Sequence, residues 1–360
     1  MYEGLLIRAA TPADAEIVVT ITQAAYRQQL AQTSLYEYVF QETPAALAQE
    51  LLNPLLVILL LERDGEPVAS VRLGLRNTHE MHLWRLGVLP DHQGKGYSKI
   101  LVDMIERWAA AWGRHWVRIG ALEASPDNRA MYERWGYEAY GRKEMGSAPG
   151  NFYTLLRKPT AKPSIQTVEV YETIADDYAQ RHNSSRAWMD EALTAFEHAM
   201  PAPATILEIG SGTGHDAELL TKRGYRVIAM DRTAAFLQIA KQRHPTLLQG
   251  DARSLPVADQ SVDAVWAQAS LLHVSRLEIT PALLDIRRVL RPNGVLYVSL
   301  KMGDGERTNA SRAPDDQRLF AFYQPDEVTR LLHGAGFEIV HQSIGADHRG
   351  ANLPHWVRTV

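Results

Sequence analysis

Two glycine-rich segments of this 360-residue sequence are of the kind that brings a peptide backbone close to a ligand. One is Gln93–Ser98, which reads Gln-Gly-Lys-Gly-Tyr-Ser, and the other is Glu208–Gly214, which reads Glu-Ile-Gly-Ser-Gly-Thr-Gly. Each follows an apolar run that predicts a strand and precedes a segment with helical periodicity. Glycine lets the backbone approach a ligand where a Cβ atom would collide. Both segments therefore predict ligand-binding loops.

The spacing around the second loop restricts the ligand. A dinucleotide fingerprint, Gly-x-Gly-x-x-Gly, would place its third glycine at position 215, where the sequence has His215. A second predicted strand ends at Asp231, 21 residues after Gly210, and an acid there can accept hydrogen bonds from both hydroxyls of a ribose. Asp251 and Ala252 follow the third predicted strand. The spacing therefore argues against a dinucleotide site.

In the order and spacing of these motifs, residues 168–360 resemble the class I S-adenosylmethionine (SAM) methyltransferases. The resemblance implies that Asp231 binds the ribose of SAM, Asp251 the adenine amino group and Ala252 an adenine ring nitrogen. It gives Glu208 a role in stabilising the sulfonium or amino end of SAM, or the loop itself. The residues expected to bind SAM are Tyr171, Tyr178, Glu208, Gly210, Ser211, Gly212, Gly214, Asp231, Arg232, Asp251, Ala252 and Gln268.

Aromatic residues and a histidine could complete this second site. Val170–Ala179 resembles the helix that precedes the glycine loop in many small-molecule methyltransferases, so Tyr171 and Tyr178 either cover SAM or pack within the fold. Gln268 lies in the loop that the resemblance places beside the transferring methyl group. His273, in the same loop, is the candidate base for a hydroxyl acceptor, and the alternative is a histidine that orients a helix.

The first loop resembles the motif Gln/Arg-x-x-Gly-x-Gly/Ala of the GNAT acyl-CoA N-acetyltransferases. Gln93 and Gly96 match this motif, and Ser98 stands where Gly or Ala is usual. The resemblance implies that the amides of residues 94–98 hold the pyrophosphate of acetyl-CoA, while the strand before them pairs with its pantetheine arm. The residues expected to bind acetyl-CoA are Leu86, Val88, Gln93, Gly94, Lys95, Gly96, Tyr97, Ser98 and Asn128.

A second GNAT-like segment, Asn128–Tyr137, supplies a candidate acid. Its Asn, Ala, Tyr-Glu and Gly-Tyr residues resemble a helix and turn of that family, with a shorter distance from Asn128 to the tyrosine. Tyr132 matches the tyrosine that protonates the departing CoA thiolate, and the alternative is a packed aromatic residue. His82, which shares a strand face with Glu80, is the candidate base, and the alternative is a solvent-facing histidine.

A segment with two prolines separates the two halves, and no internal repeat relates them. We predict an α/β protein with a GNAT domain at 1–158, a linker at 159–166 and a methyltransferase domain at 167–360. The expected architectures are a GNAT mixed α+β sheet and a Rossmann-like seven-stranded methyltransferase sheet. The closing antiparallel pair is predicted at Phe337–Gln342 and Trp356–Val360, and Lys301–Phe322 is predicted to be an inserted substrate lid or a solvated loop.

Composition excludes several classes of function. The net charge of −4 comes without a basic patch, which disfavours a nucleic-acid partner. The absence of cysteine excludes a thiol nucleophile, a thiolate zinc site and disulfides, and fits a cytoplasmic location. The longest apolar run, Leu55–Leu61, is too short to span a bilayer. The histidines lack metal-ligand spacing, so no metal is expected.

The sequence thus predicts a bifunctional transferase that uses acetyl-CoA for N-acetylation and SAM for N- or O-methylation of a small molecule or peptide. One alternative is a methyltransferase whose GNAT half senses acyl-CoA or binds substrate without catalysis. Another is modification of a macromolecule, such as a protein N-terminus or a tRNA. The identity of the acceptor and the oligomeric state are left open.

Overall fold

The computed structural model describes residues 4–53, 56–74, 80–160, 166–181, 189–200, 202–308, 318–345 and 356–359. The chain divides into two compact units, residues 4–163 and residues 164–360. This division falls within the segment 159–166, although Pro159 is still the last residue of a strand.

The described part of the first unit contains seven strands in one mixed sheet. They are β1 (Leu5–Ala9), β2 (Leu56–Arg63), β3 (Glu66–Gly74), β4 (Glu80–Val88), β5 (Trp116–Leu122), β6 (Glu138–Glu144) and β7 (Phe152–Pro159). Across the sheet they lie in the order β1-β2-β3-β4-β5-β7-β6. Neighbours are antiparallel except β4 and β5, which are parallel.

Strands β4 and β5 separate along their length. They pair in parallel from Glu80 and Trp116 to His82 and Arg118, and among the described residues no further β4–β5 pair follows. On its other side, β4 pairs with β3 across a bulge in which Arg85 has a φ of 50°. In the described sheet, the β5 side of residues 83–88 is therefore left without a strand partner.

The described part of the first unit has five α-helices: α1 (Ala15–Gln32), α2 (Glu37–Phe40), α3 (Pro44–Glu50), α4 (Tyr97–Ala111) and α5 (Pro126–Arg134). Helix α1 buries Val18, Ile21 and Ala25 at helical spacing. It lies so close to β4 that a Cβ atom on Gly87 would be 3.0 Å from the Cβ of Ala25. Helix α4 buries Leu101, Met104, Ile105 and Trp108 at helical spacing.

The described strands of the second unit are β8 (Thr205–Ile209), β9 (Arg226–Asp231), β10 (Leu247–Gln249), β11 (Val262–Ala267), β12 (Leu290–Met302), β13 (Glu306–Thr308), β14 (Leu319–Tyr323), β15 (Gln342–Gly345) and β16 (Trp356–Thr359). The order β10-β9-β8-β11-β12 is parallel throughout, and β16 and then β15 continue it in antiparallel fashion. This confirms the predicted Rossmann-like seven-stranded sheet. The hairpin β13–β14 adds to the end of β12.

The described helices of this unit are α6 (Gln166–Arg181), α7 (Asp190–Ala199), α8 (His215–Lys222), α9 (Ala234–Ala240), α10 (Ile279–Val289) and α11 (Pro325–Gly334). Its core lies between the sheet and helices such as α7 and α8, where Phe196, Leu220, Trp266 and Tyr297 are fully buried. Because a parallel sheet is covered on both faces, its central strands β8 and β11 are buried along almost their whole length.

Two segments differ from the sequence prediction. The strand predicted to begin at Phe337 begins instead at Gln342, because residues 336–337 end α11: Gly336 has a φ of 83° and the Phe337 N–H donates to the Leu332 carbonyl. Of the predicted insertion 301–322, residues 309–317 lie outside the described residues, and the described part is not a plain loop. It contains β13 and β14, and Phe320 is buried.

Within the described ranges, no helix has the length and apolarity that a membrane crossing needs. Those ranges also contain no cluster of His, Asp or Glu side chains suited to a metal ion.

Candidate active sites

The loop after β4 forms an open backbone cradle at the start of α4. Gly94 and Gly96 have φ of 75° and 83°, in the region that favours glycine. A Cβ atom added at either position would have no neighbour within 4 Å, so the space beside the loop is open. Gln93 Nε2 donates to the Val88 carbonyl at 3.1 Å, which ties the loop to the end of β4.

This cradle fits a pyrophosphate. Helix α4 has 15 residues, and its N-terminus provides unpaired N–H groups and a positive end of the helix dipole. Lys95 is exposed on the loop, Tyr97 is buried at the first turn and Ser98 is half-buried beside it. The region 94–98 therefore has the donors that an anionic cofactor group needs.

The gap between β4 and β5 opens after His82 and extends along β4 toward this cradle. Leu86 and Val88 lie on the part of β4 beyond His82, where the described sheet has no β5 partner. Extended ligands can add to such an edge through main-chain hydrogen bonds. Since the Val88 carbonyl already accepts from Gln93, other main-chain groups of β4 would have to carry this pairing.

Tyr132 lies deep in a cluster of aromatic rings. Its ring centroid is 5.6 Å from that of Trp135 and 6.0 Å from that of Tyr137. Burial raises the pKa of Tyr132, and the nearby Tyr36 adds to this shift. The Tyr36 hydroxyl donates to Ser125 Oγ at 2.9 Å, and a hydrogen bond also links Tyr36 with Asn128. The structure thus brings Asn128 and Tyr132 to the same cluster, through Tyr36.

His82 lies at the point where β4 and β5 separate, opposite Arg118. Its imidazole stacks on Trp84 with centroids 5.0 Å apart. Burial lowers the pKa of His82 to about 4, with smaller contributions from the charges of Arg118 and Lys143. The imidazole is therefore neutral at pH 7. Glu80, its neighbour on the strand face, forms an ion pair with Arg118 at 3.0 Å.

Sequence motifs gave no sign of a buried ion cluster next to the β4 bulge. Glu42 accepts from Arg72 at 2.5 Å and pairs with Arg85 at 2.7 Å, and the Glu42 and Arg72 side chains are less than a tenth exposed. The Arg85 guanidinium also lies 5.5 Å from the ring centre of Tyr38. Glu42 is 30 residues from Arg72 and still farther from Arg85 in the sequence, and none of the three belongs to a motif. Residue spacing alone therefore could not have predicted this cluster.

The second glycine loop joins β8 to α8, and its glycines have different surroundings. A Cβ atom on Gly210 would lie 2.4 Å from the Cβ of Ser270, and one on Gly214 would lie 3.1 Å from that of Ala240. At Gly212, which has a φ of 51°, a Cβ atom would have no neighbour within 4 Å. Two of these glycines therefore permit close packing, and Gly212 borders open space.

Buried polar side chains lie close to this open space. The hydroxyls of Ser211 and Ser270 are buried and have no hydrogen-bond partner among the residues that the structure describes. An unsatisfied buried hydroxyl costs about 1–3 kcal/mol, which a polar ligand would recover. Glu208 is buried at the end of β8, immediately before the loop. The donor set and the open cradle fit the polar amino-acid part of SAM.

Asp231 at the end of β9 is joined directly to the loop. Its Oδ2 accepts from the Gly212 N–H at 2.8 Å, and its Oδ1 accepts from the Thr233 N–H at 2.8 Å. Burial raises the pKa of Asp231, and these N–H groups act against that shift. Each carboxylate oxygen retains a further lone pair, so the group can still accept ribose hydroxyls.

Asp251 is held by two arginines. Arg253 Nη2 donates to Asp251 Oδ2 at 2.8 Å, and Arg232 Nη1 is 3.3 Å from the same oxygen. Burial acts to raise the pKa of Asp251, but the bonds and charges of Arg253 and Arg232 outweigh it and lower the pKa. Arg253 also donates to Glu278 at 2.9 Å. Ala252, between Asp251 and Arg253, is half-buried on this turn.

Hydrogen bonds join helix α6 to other elements of the second unit. Leu319 N donates to Thr167 Oγ1 at 3.0 Å. The Glu172 carboxylate accepts from the N–H groups of Ala234 and Ala235 at 2.6 and 3.0 Å, at the start of α9. A further bond joins Tyr171 to His273.

His273 has both ring nitrogens in hydrogen bonds. Nδ1 lies 2.6 Å from the Leu319 carbonyl, which can only accept, so Nδ1 carries the proton. In the neutral imidazole Nε2 then accepts from the Tyr171 hydroxyl at 2.8 Å. Phe236 packs against Tyr171 and Tyr178 with centroids 5.3 and 5.2 Å away. The structure thus brings both predicted tyrosines together near His273.

Gln268 lies in the loop after β11 that also contacts the glycine loop through Ser270. Its Oε1 accepts from the Tyr297 hydroxyl at 2.5 Å, and the next residue, Ala269, has a φ of 51°. The Ala269 N–H donates to Ser299 Oγ at 2.8 Å. These bonds fix the loop at the carboxyl ends of β11 and β12, where open α/β sheets bind their ligands.

Two family models match the chain, and each of the matched regions includes one of the glycine loops. Residues 21–137 match the family model of the GNAT acetyltransferase family, and residues 207–298 match that of a methyltransferase domain. The chain joins a GNAT-family domain to a methyltransferase domain. It is therefore an enzyme of the transferase class. The methyltransferase domain implies SAM as cofactor, and the GNAT domain implies acetyl-CoA.

Two curated relatives each match less than half of the chain. A malonyl-[acyl-carrier protein] O-methyltransferase of Methylococcus capsulatus is 33% identical over 174 residues, which are 45% of this chain and 62% of that protein. A methyltransferase of the same description from Xylella fastidiosa is 40% identical over 27% of this chain and 35% of that protein. The chain spans less than two thirds of the length of these curated relatives.

Among solved structures, the PaiA N-acetyltransferase of Thermoplasma acidophilum, in complex with coenzyme A, is 16% identical with a TM-score of 0.37. It covers 43% of this chain and 98% of its own.

Proposed function

We propose that the chain is a bifunctional transferase that N-acetylates with acetyl-CoA and methylates with SAM, on a small-molecule or peptide acceptor. The observation that carries the proposal is that each unit has its own glycine cradle with open space beside it, at Gly94 and Gly96 in one and at Gly212 in the other. Joining two transferases in one chain raises the local concentration of a shared intermediate.

In the first unit, the amides of residues 94–98 would hold the cofactor pyrophosphate, and Leu86 and Val88 would border its pantetheine arm. Tyr132 would then supply a proton to the departing thiolate. Because burial raises the pKa of Tyr132, the hydroxyl keeps its proton at neutral pH, as an acid must. His82 is neutral at pH 7 and has a lone pair that could take the proton of the amine.

In the second unit, the residues of the loop Gly210–Gly214 and Asp231 would hold SAM, which supplies an activated methyl group when bound. Asp231 would accept from the ribose, and Asp251 and Ala252 would border the adenine. Tyr171 and Tyr178 of α6 would cover the site and exclude water, which helps to align the reacting groups. His273, through its two hydrogen bonds, would hold the loop after β11 in place where the acceptor binds.

The second candidate function is a methyltransferase whose GNAT unit binds acyl-CoA without acetyl transfer. It is favoured by the pKa of His82, about 4, because such an imidazole is a weak base toward an ammonium group. The cradle at Gly94 and Gly96 serves either function.

Calorimetry of the full chain with acetyl-CoA and with SAM tests both candidates. Binding of both cofactors, followed by acetylated and methylated products in a mass-spectrometric screen of amines and peptides, supports the bifunctional enzyme. Binding of acetyl-CoA with methylated products alone points to the second candidate. Failure to bind acetyl-CoA rules out both roles for the GNAT unit.

A further inference from the structure

The ring cluster around His273 contains two cationic side chains that no motif identifies. Lys301 Nζ lies 4.1 Å from the ring centre of Phe320, at the carboxyl end of β12. The Arg318 guanidinium lies 4.9 Å from the ring centre of Tyr171 and 5.5 Å from that of Phe320. Phe320 is itself 4.8 Å from the imidazole of His273.

This cluster adjoins the donor site. Ser270 packs against Gly210, and Leu271–His273 forms the turn that follows. Tyr171 packs on Phe236 of α9 with ring centroids 5.3 Å apart, and the Asp231 charge makes a small contribution to the raised pKa of Tyr171. The methyl acceptor must reach the cofactor from a position next to the glycine loop. Such a position lies at the carboxyl ends of β11 and β12. The ring and cation cluster found there consists of Tyr171, His273, Lys301, Arg318 and Phe320.

The hydrogen bonds of His273 limit the chemistry available there. Its Nδ1–H donates to the Leu319 carbonyl, and its Nε2 accepts from Tyr171. The lone pair that a base would use is thus already in a hydrogen bond. An acceptor that arrives with its proton would first have to displace Tyr171, whereas an acceptor that is already an anion needs no base.

We propose, resting on the methyltransferase function above, that the second unit methylates an anionic oxygen, a carboxylate or an acidic phenolate, held by Arg318 and Lys301. An anionic oxygen that forms a bond to the methyl carbon, while the carbon–sulfur bond of the sulfonium breaks, gives a neutral ester or ether and a neutral thioether. The electron pair of the broken bond stays on sulfur, and no proton is left to remove. Two neighbouring cations attract such an acceptor and repel an ammonium group.

The test uses the full chain loaded with S-adenosylhomocysteine, the unreactive product, so that binding is measured without turnover. Calorimetric titrations compare phenylacetate, para-nitrophenolate, phenylacetamide and benzylammonium. We expect at least one anion to bind about tenfold or more tighter than the amide and the ammonium, since charge-assisted hydrogen bonds are worth more than neutral ones. The two anions distinguish a carboxylate site from a phenolate site.

Variants assign the effect to the two cations. Arg318→Gln and Lys301→Gln should each remove most of the anion preference, and Arg318→Lys and Lys301→Arg should retain part of it. Arg226→Gln is the matched control, because Arg226 begins β9 at the opposite end of the strand from Asp231. It should leave the preference unchanged.

Equal affinity for the four compounds, tighter binding of benzylammonium, or no binding of either anion overturns the inference while the methyltransferase function stands. Failure of the chain to bind S-adenosylhomocysteine itself overturns the methyltransferase function, and the inference with it. An anion preference that survives both glutamine variants also overturns the assignment to Arg318 and Lys301.

Discussion

The Tyr171 hydroxyl donates to Nε2 of His273 at 2.8 Å across 102 residues of sequence. This bond joins helix α6 to the loop after β11, and the Leu319 carbonyl fixes the opposite nitrogen of the same imidazole. The residue next to Tyr171, Glu172, binds the start of α9. Helix α6, which would cover SAM, is therefore hydrogen-bonded both to the loop after β11 and to the start of α9.

Tyr171→Phe should loosen α6 without unfolding the unit. The ring and its packing remain, and the lost hydrogen bond is worth about 1 kcal/mol, or a factor of about five in a local opening equilibrium. We expect amide hydrogen exchange in 166–181 to quicken by that factor, measured by mass spectrometry on the full chain.

The matched control for this change is Tyr225→Phe. Tyr225 donates to the Met200 carbonyl at 2.7 Å, so the variant loses a similar bond at the start of β9, away from α6. Its exchange in 166–181 should equal that of the wild type. Equal exchange in both variants would show that the Tyr171–His273 bond does not hold the helix.

Asp231→Asn should weaken SAM binding by about tenfold or more, because the loss of a charged acceptor removes charge-assisted hydrogen bonds to the ribose. The amide would also place a donor next to the N–H groups of Gly212 and Thr233, where only an acceptor fits. Calorimetry with SAM measures the change in affinity.

Asp263→Asn controls for the loss of an acid that accepts a backbone N–H. Asp263 Oδ2 accepts from Thr205 N at 2.7 Å, at the amino ends of β8 and β11. This variant should lower stability and leave the affinity for SAM within about twofold. If both variants weaken SAM equally, the effect of Asp231 is not local.

The sequence predicts the parts of these sites whose conformation is set locally. The two glycine loops between a strand and a helix and the acid at the end of β9 follow from residue types at short spacings, and the structure has all three. The match to GNAT and methyltransferase family models confirms the two resemblances drawn from those motifs.

Long-range contacts could not be predicted in the same way. The bond from Tyr171 to His273 and the approach of Lys301 and Arg318 to Phe320 depend on how separate elements pack. Arg85 occupies a bulge in β4 because the register with β3 shifts there, a property of the pair of strands rather than of either one. Strand β15 starts at Gln342 instead of Phe337 because Phe337 is bonded to the end of α11, which is a separate element of the chain.

His82 should make the stability of the first unit depend on pH. Its pKa is about 4 in the folded chain, against an ordinary value of 6.5. Between these values the unfolded chain binds a proton that the folded chain does not, so stability should be full above pH 6.5 and fall as the pH decreases toward 4. Denaturant unfolding, followed by tryptophan fluorescence at several pH values, measures this slope.

His82→Asn should flatten the slope over that window, and His115→Asn, at an exposed position just before β5, should leave it as in the wild type. The same shift means that His82 does not change its charge between pH 6 and 8. A wild-type slope in His82→Asn would show that other groups cause the pH dependence.

Gly94→Ala should weaken acetyl-CoA binding by about tenfold or more, because the added methyl group enters the open cradle that the pyrophosphate needs. Alanine at a positive φ also costs about 1–2 kcal/mol of stability, which alone could lower the apparent affinity. Gly113→Ala separates the two effects. Gly113 has a φ of 67°, close to the 75° of Gly94, and equally open surroundings, but it follows the opposite end of α4. Calorimetry with acetyl-CoA should show near-wild-type affinity for Gly113→Ala at a similar loss of thermal stability. Comparable affinities in the two variants would place the pyrophosphate elsewhere than at Gly94.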